Sequence, residues 1–172
     1  MRVSPLKVGD GREAGVALGP LINRRAVAKA QEHVDDAVSK GACVILGGKP
    51  HEKGPCFYQP TILLNATLEM KIAREETFGP VAALFRFRDD AEAIVMANDT
   101  EFGLASYFYG RDISRVWRVA ENLEYGIIGV NTGLISTEVA PFGGVKESGL
   151  GREGSHHGID DYLELKYICM SI

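Results

Sequence analysis

Gly149 to Gly154 spell G-x-G-x-x-G inside the stretch PFGGVKESGLGREG, Pro141 to Gly154, a spacing able to cradle a dinucleotide pyrophosphate. Such a turn needs a strand before it, a long helix after it and an acidic residue about twenty positions on. Eighteen residues follow Gly154 in this chain, too few for that unit to close. The glycines are therefore expected to serve turns with positive φ, or close approach of backbone to a ligand or another segment. Cys43, Cys56 and Cys169 are odd in number and widely spaced, without zinc-site or disulfide spacing, and fit a reducing compartment. His156 and His157 are sequence neighbours that do not converge on one metal. A cysteine–histidine hydrolase built from Cys169 and either histidine has no activating motif. No metal ligand and no catalytic residue is assigned from these side chains.

The elements that must position any site are legible from periodicity. Val27, Ala30, Val34, Ala37 and Val38 recur at helical spacing between an N-capping Asn23 and a closing Gly41. The basic Arg24, Arg25 and Lys29 read as the wet face of that helix. Cys43 to Leu46 is a short extended run, and Phe57 to Leu64 a second, interrupted by Pro60. Val81 to Phe87 reads as a strand, and Asp89 with Glu92 opens a helix through Asn98. Leu104 to Tyr109 is a further strand. Asp112 caps a helix with Ile113, Val116, Trp117, Ala120 and Leu123 on one face, Gly126 ends it, and Ile127 to Val130 follows as a strand. This β-α-β-α-β order predicts an α/β fold, a parallel sheet with helices packed on it. Ligands gather beyond the carboxyl ends of such strands, so chemistry is expected on Asn131 to Phe142. Tyr162 to Ile172 is a β-prone tail.

With 172 residues and 45% hydrophobic content, the chain has the size of one globular domain. Nineteen basic against twenty-three acidic residues, with no basic stripe, argue against nucleic acid. Arg2, Lys7, Asp10, Arg12 and Glu13, scattered through the first twenty residues, exclude a signal-peptide core, and no run of eighteen apolar residues points to a membrane. The chain is expected to be cytoplasmic.

Three motifs in register, EETFGP at Glu75 to Pro80, GVN at Gly129 to Asn131 and PFGGVKESGLGREG, resemble the C-terminal part of the aldehyde dehydrogenase superfamily. LKVGDG at Leu6 to Gly11 and GPLI at Gly19 to Ile22 extend the likeness over essentially the whole chain. NTGLIS, EVAPFGG and the ending IDDYLELKY are most similar to bacterial-type succinate-semialdehyde dehydrogenases.

The resemblance implies a partial aldehyde dehydrogenase catalytic domain over residues 1–161, with an oligomerisation strand over 162–172 and a homo-oligomeric parent enzyme. It also implies NAD or NADP as cofactor and a small aldehyde as substrate, oxidised through a cysteine thiohemiacetal. The family's nucleophile sits in Gly-Gln-x-Cys and its base in Glu-Leu-Gly-Gly; neither string occurs here, and no cysteine stands in that context. By resemblance, Glu76 accepts hydrogen bonds from the nicotinamide ribose hydroxyls and Phe78 packs against the nicotinamide side. Ser136 corresponds to the serine that reaches the substrate carboxylate, although Thr137 could serve as well. Phe142 lines the aldehyde tunnel or packs as core. The chain alone is expected to be inactive and to bind cofactor weakly or not at all. The alternative is a stand-alone noncatalytic assembly module, which an upstream Gly-Gln-x-Cys in the coding DNA would exclude.

Overall fold

The computed structural model describes Val3 and residues 6–171. Its backbone divides into two compact units, Met1–Arg86 and Phe87–Ile172.

In the first unit β1 (Lys7–Val8) and β2 (Val16–Leu18) form a short parallel pair. Helix α1 (Arg24–Ser39) follows, with Asn23 Oδ1 accepting from the Ala26 N–H at 3.0 Å. Its other end closes as a Schellman motif: Ala42 N donates to Ala37 O and Gly41 N to Val38 O, with Gly41 at φ +98. β3 (Cys43–Leu46), β4 (Thr61–Ala66) and β5 (Val81–Phe85) form one sheet in that order, β3 antiparallel and β5 parallel to β4. Pro60 cannot donate to a ladder, so β4 begins one residue after it. Asn65 at φ +58 bulges β4 against β5.

The core of this unit lies between α1 and β4. Val27, Ala30, Val34 and Ala37 are buried against Tyr58, Leu63, Ala66 and Met70. Val38, expected on this face, is 47% exposed; His33 takes the buried place, at 1%.

The second unit holds α2 (Asp90–Asn98), capped by Asp89 accepting from the Glu92 N–H. β6 (Phe102–Gly103), β7 (Ala105–Phe108), α3 (Ile113–Asn122), β8 (Ile127–Val130) and β9 (Val145–Lys146) follow. β7, α3 and β8 make a parallel β-α-β unit, in register from Ala105 opposite Ile127 to Phe108 opposite Val130. The run from Leu104 therefore splits from a separate strand, because Phe102 and Gly103 pair antiparallel with Lys146 and Val145. β5 takes β4 as its parallel neighbour, so the alternation read from sequence does not lie on one sheet.

Two side-chain expectations also change. Helix α3 stops at Asn122 with Leu123 as cap, so Gly126 is not its terminator. Gly126 instead lets two backbones meet, since a Cβ there would lie 2.0 Å from Gly143 O. Ile113 and Trp117 remain 67% and 62% exposed. Among the described residues of this unit, those that are buried are Gly103, Gly129 and Gly144.

The G-x-G-x-x-G does not join a strand to a long helix. Gly149, Gly151 and Gly154 all have positive φ, and a 3-10 turn, His156–Tyr162, follows. Residues 163–171 carry neither helix nor paired strand and are exposed; Ile172 lies outside the described residues, as do Met1, Arg2, Ser4 and Pro5. No helix among the described residues is long and apolar enough to cross a membrane.

Candidate functional site

The crossover from β4 to β5 contains a 3-10 turn, Lys71–Ala73, and then the motif Glu75 to Pro80. Helix α1 grips it along its length. Asp36 Oδ2 accepts from the Lys71 N–H at 2.8 Å, and Lys71 pairs through its ammonium with Glu32. Lys40 bonds Asp36 at 2.7 Å and donates to Glu69 O at 2.9 Å. Lys40, with the Lys71 N–H, holds the Asp36 carboxyl below its ordinary 3.8. The Lys71 ammonium likewise holds Glu32 below 4.5. One turn of helix back, Lys29 Nζ donates to Glu76 O at 2.5 Å. His33 Nδ1 lies 2.9 Å from Thr77 Oγ1, and its Nε2 lies 3.4 Å from Glu75 Oε2.

This grip leaves Thr77 buried at 9% and its neighbours outside. Glu76 is exposed, and Phe78 is 80% exposed at φ +50. A left-handed aromatic residue is uncommon and costs about 1–3 kcal/mol, a strain that persists where surrounding structure imposes it. The two residues thus share one presented turn. Lys29, expected only on a wet helix face, is a holding group as well. His33 escaped the sequence reading, although it stands three residues after Ala30 and four before Ala37 in the buried stripe.

In the second unit, Asn131 at φ +58 ends β8 and brackets Gly110, its Oδ1 accepting from Gly110 N and its Nδ2 donating to Gly110 O. The chain then loops to Phe142, whose N–H and C=O exchange bonds with Glu153 at 2.8 and 2.7 Å. Ser136 and Phe142 are brought together, lining an open depression of ≈ 480 Å³ with Thr137, Glu138, Glu153 and Gly154. Ser136 and Thr137 are both exposed, and Phe142 is half-buried. The lining holds two carboxylates and no cation, so Ser136 can offer a hydrogen bond here but no counter-charge for an anionic substrate. Cys43 lies on β3, Cys56 in a loop and Cys169 in the exposed tail. No group of three metal-ligating side chains occurs among the described residues.

The sequence pattern of the aldehyde dehydrogenase family matches residues 1–168. The chain belongs to the aldehyde dehydrogenase family. It is 63% identical over 170 residues to the NADP(+) succinate-semialdehyde dehydrogenase of Escherichia coli (strain K12), covering 99% of this chain and 35% of that protein. It is 65% identical to a glutarate-semialdehyde dehydrogenase of Pseudomonas putida, with the same coverage. The crystal structure of succinate-semialdehyde dehydrogenase from Burkholderia pseudomallei superposes with a TM-score of 0.96 at 61% identity, over 99% of this chain and 36% of that one. A betaine aldehyde dehydrogenase from Staphylococcus aureus, crystallised with NAD+, matches at a TM-score of 0.87 and 36% identity, over 94% of this chain and 33% of that one. This aldehyde dehydrogenase chain therefore spans about a third of the length of the curated relatives it matches.

Proposed function

We propose that the chain is the C-terminal section of an NAD(P)-dependent enzyme that oxidises succinate semialdehyde to succinate through a cysteine thiohemiacetal. The observation that carries this reading is the turn at Glu76 and Phe78, which exposes a carboxylate and a strained aromatic side by side on a firmly held loop. These residues fit a nicotinamide ribose. An ionised carboxylate is acceptor-only and can take two bonds from a vicinal diol, while an aromatic face covers one side of a planar ring. The chemistry supplied by bound NAD or NADP is acceptance of a hydride.

What this chain's own residues do is bind, orient and exclude water. Glu76 fixes the ribose, Phe78 limits the ring to one face, Phe142 walls the aldehyde path and Ser136 donates to the far carboxylate of the substrate. The nucleophile, its base and the counter-charge for the substrate come from outside these 172 residues. One carboxylate and one aromatic leave adenosine and pyrophosphate without partners, so the isolated chain binds cofactor weakly or not at all. The tail over 162–172, exposed and without a paired strand across 163–171, would supply the oligomerisation strand of a cytoplasmic homo-oligomer by pairing with a neighbouring subunit.

Replacing Glu76 by Gln in the complete enzyme tests the reading. It is expected to raise the cofactor KM and lower kcat, since a neutral amide offers one acceptor oxygen where the carboxylate offers two. An unchanged kcat and cofactor KM would remove Glu76 from the ribose site.

A further inference from the structure

Building on the ribose role of Glu76, we infer that Lys29 and His33 of helix α1 are positioning residues that set the pose of the Glu75–Phe78 turn and thereby the affinity for the nicotinamide half of the cofactor. The two lie four residues apart, hence on one face of α1 one turn from each other. They engage three consecutive residues of the motif: Glu75 and Thr77 through the His33 ring, Glu76 through its carbonyl oxygen and Lys29. Backbone bonds bracket this stretch, from Glu75 N to Lys71 O and from Val81 N to Gly79 O, both 2.8 Å. Between those brackets the turn carries the strained φ of Phe78 and is held to the helix by side chains.

The chemistry of His33 explains how it serves two neighbours at once. Its Nδ1 shares a hydrogen bond with the Thr77 hydroxyl, and its Nε2 faces the Glu75 carboxylate at 3.4 Å. The ring reaches both from a site where its side chain is 1% exposed. One consequence is a division of labour within the Glu75–Glu76 pair. Both residues are exposed; the helix faces Glu75 at its carboxylate, through the His33 ring, and takes hold of Glu76 at its backbone oxygen, which leaves the Glu76 carboxylate unengaged by these two side chains. Lys29 adds a second hold on Glu76 itself without touching its carboxylate, because its bond goes to the backbone oxygen.

The experiment is steady-state kinetics of the complete enzyme carrying Lys29→Met, Lys29→Arg, His33→Asn and Glu76→Gln, with KM for cofactor and for aldehyde measured separately. Lys29 is exposed, so its loss leaves packing intact; Asn at position 33 keeps a polar atom near the place of Nδ1. Lys29→Met is expected to raise the cofactor KM about fivefold, the size of one hydrogen bond, with the aldehyde KM at saturating cofactor unchanged. Lys29→Arg is expected to restore most of the loss, and His33→Asn to raise the cofactor KM less than Glu76→Gln does. If Glu76→Gln raises the cofactor KM while Lys29→Met and His33→Asn leave it alone, or shift both KM values equally, the positioning role is overturned. If Glu76→Gln is also without effect, the ribose reading itself falls and takes this inference with it.

Discussion

The Tyr58 hydroxyl donates to Gln31 Oε1 at 3.1 Å, joining the segment that leads into β4 to the middle of α1. Tyr58 is 2% exposed, and its burial, helped by the nearby Asp35 charge, pushes the phenol from 10.0 up to about 12. The folded state therefore favours the neutral phenol more than the unfolded chain does. Its contribution to stability is complete below pH 10 and is lost as the pH rises toward 12. Denaturant midpoints measured from pH 9 upward are expected to fall across that window, and Tyr58→Phe to flatten the fall. Equal slopes in the two proteins would show that another group titrates there.

Ser136 faces a depression with Glu138 and Glu153 on its rim, so its value to an anionic substrate is a hydrogen bond and not a charge. In the complete enzyme Ser136→Ala is expected to raise the KM for succinate semialdehyde by about tenfold or more, as a bond to a charged group is worth about 1.5–3 kcal/mol. An uncharged aldehyde of similar length should show little change. Equal effects on the two would take Ser136 away from the carboxylate.

Gly126 and Gly143 meet backbone to backbone, and a methyl group at 126 would lie 2.0 Å from Gly143 O and 2.9 Å from Gly144 Cα. Backbone cannot swing aside as a side chain does. Gly126→Ala is expected to destabilise by about 2 kcal/mol or more and to displace the segment from Phe142 to Gly144. A thermal melt within a degree of the parent would show that the two segments separate at little cost.

The tail offers Tyr162, Leu163, Leu165, Tyr167, Ile168 and Met170, each at least 60% exposed, to whatever covers it. Unpaired apolar edges are templates for association. Light scattering of the 172-residue chain at about 100 micromolar, where weak association registers, should report a dimer or larger species. Deleting the residues after Leu163 should shift it toward monomer. A well-folded monomer before deletion would end the tail's assignment to assembly.

Features whose causes are local were legible in the sequence. Both ends of α1 follow from Asn23 and Gly41, which act within a few residues, and the β7-α3-β8 unit follows from Asp112 and the apolar runs flanking it. Pairings between distant segments were not. Phe102 meets Lys146, and β5 chooses β4, through register that no local periodicity encodes. Gly126 misled because a glycine is needed equally for a helix stop and for a tight approach. In the candidate site, Glu76 and Phe78 were marked by their motif. His33 was not, because its partner Thr77 lies 44 residues away and a histidine adds nothing to an apolar count.

The burial of glycines alone among the described residues of the second unit has a bearing on how its sequence can drift. A Cβ at Gly103 would lie 2.7 Å from Glu124 O, at Gly129 2.7 Å from Tyr107 Cδ1, and at Gly144 2.6 Å from Ser148 Cβ. Neighbouring side chains, all at least partly open to the outside of the unit, can change size by moving outward. The three glycines have no such direction. In this half of the chain the buried positions are those that contribute no side chain at all, and an acceptable substitution there is decided by clearance, from the Glu124 backbone at Gly103 and from the Tyr107 and Ser148 side chains at Gly129 and Gly144.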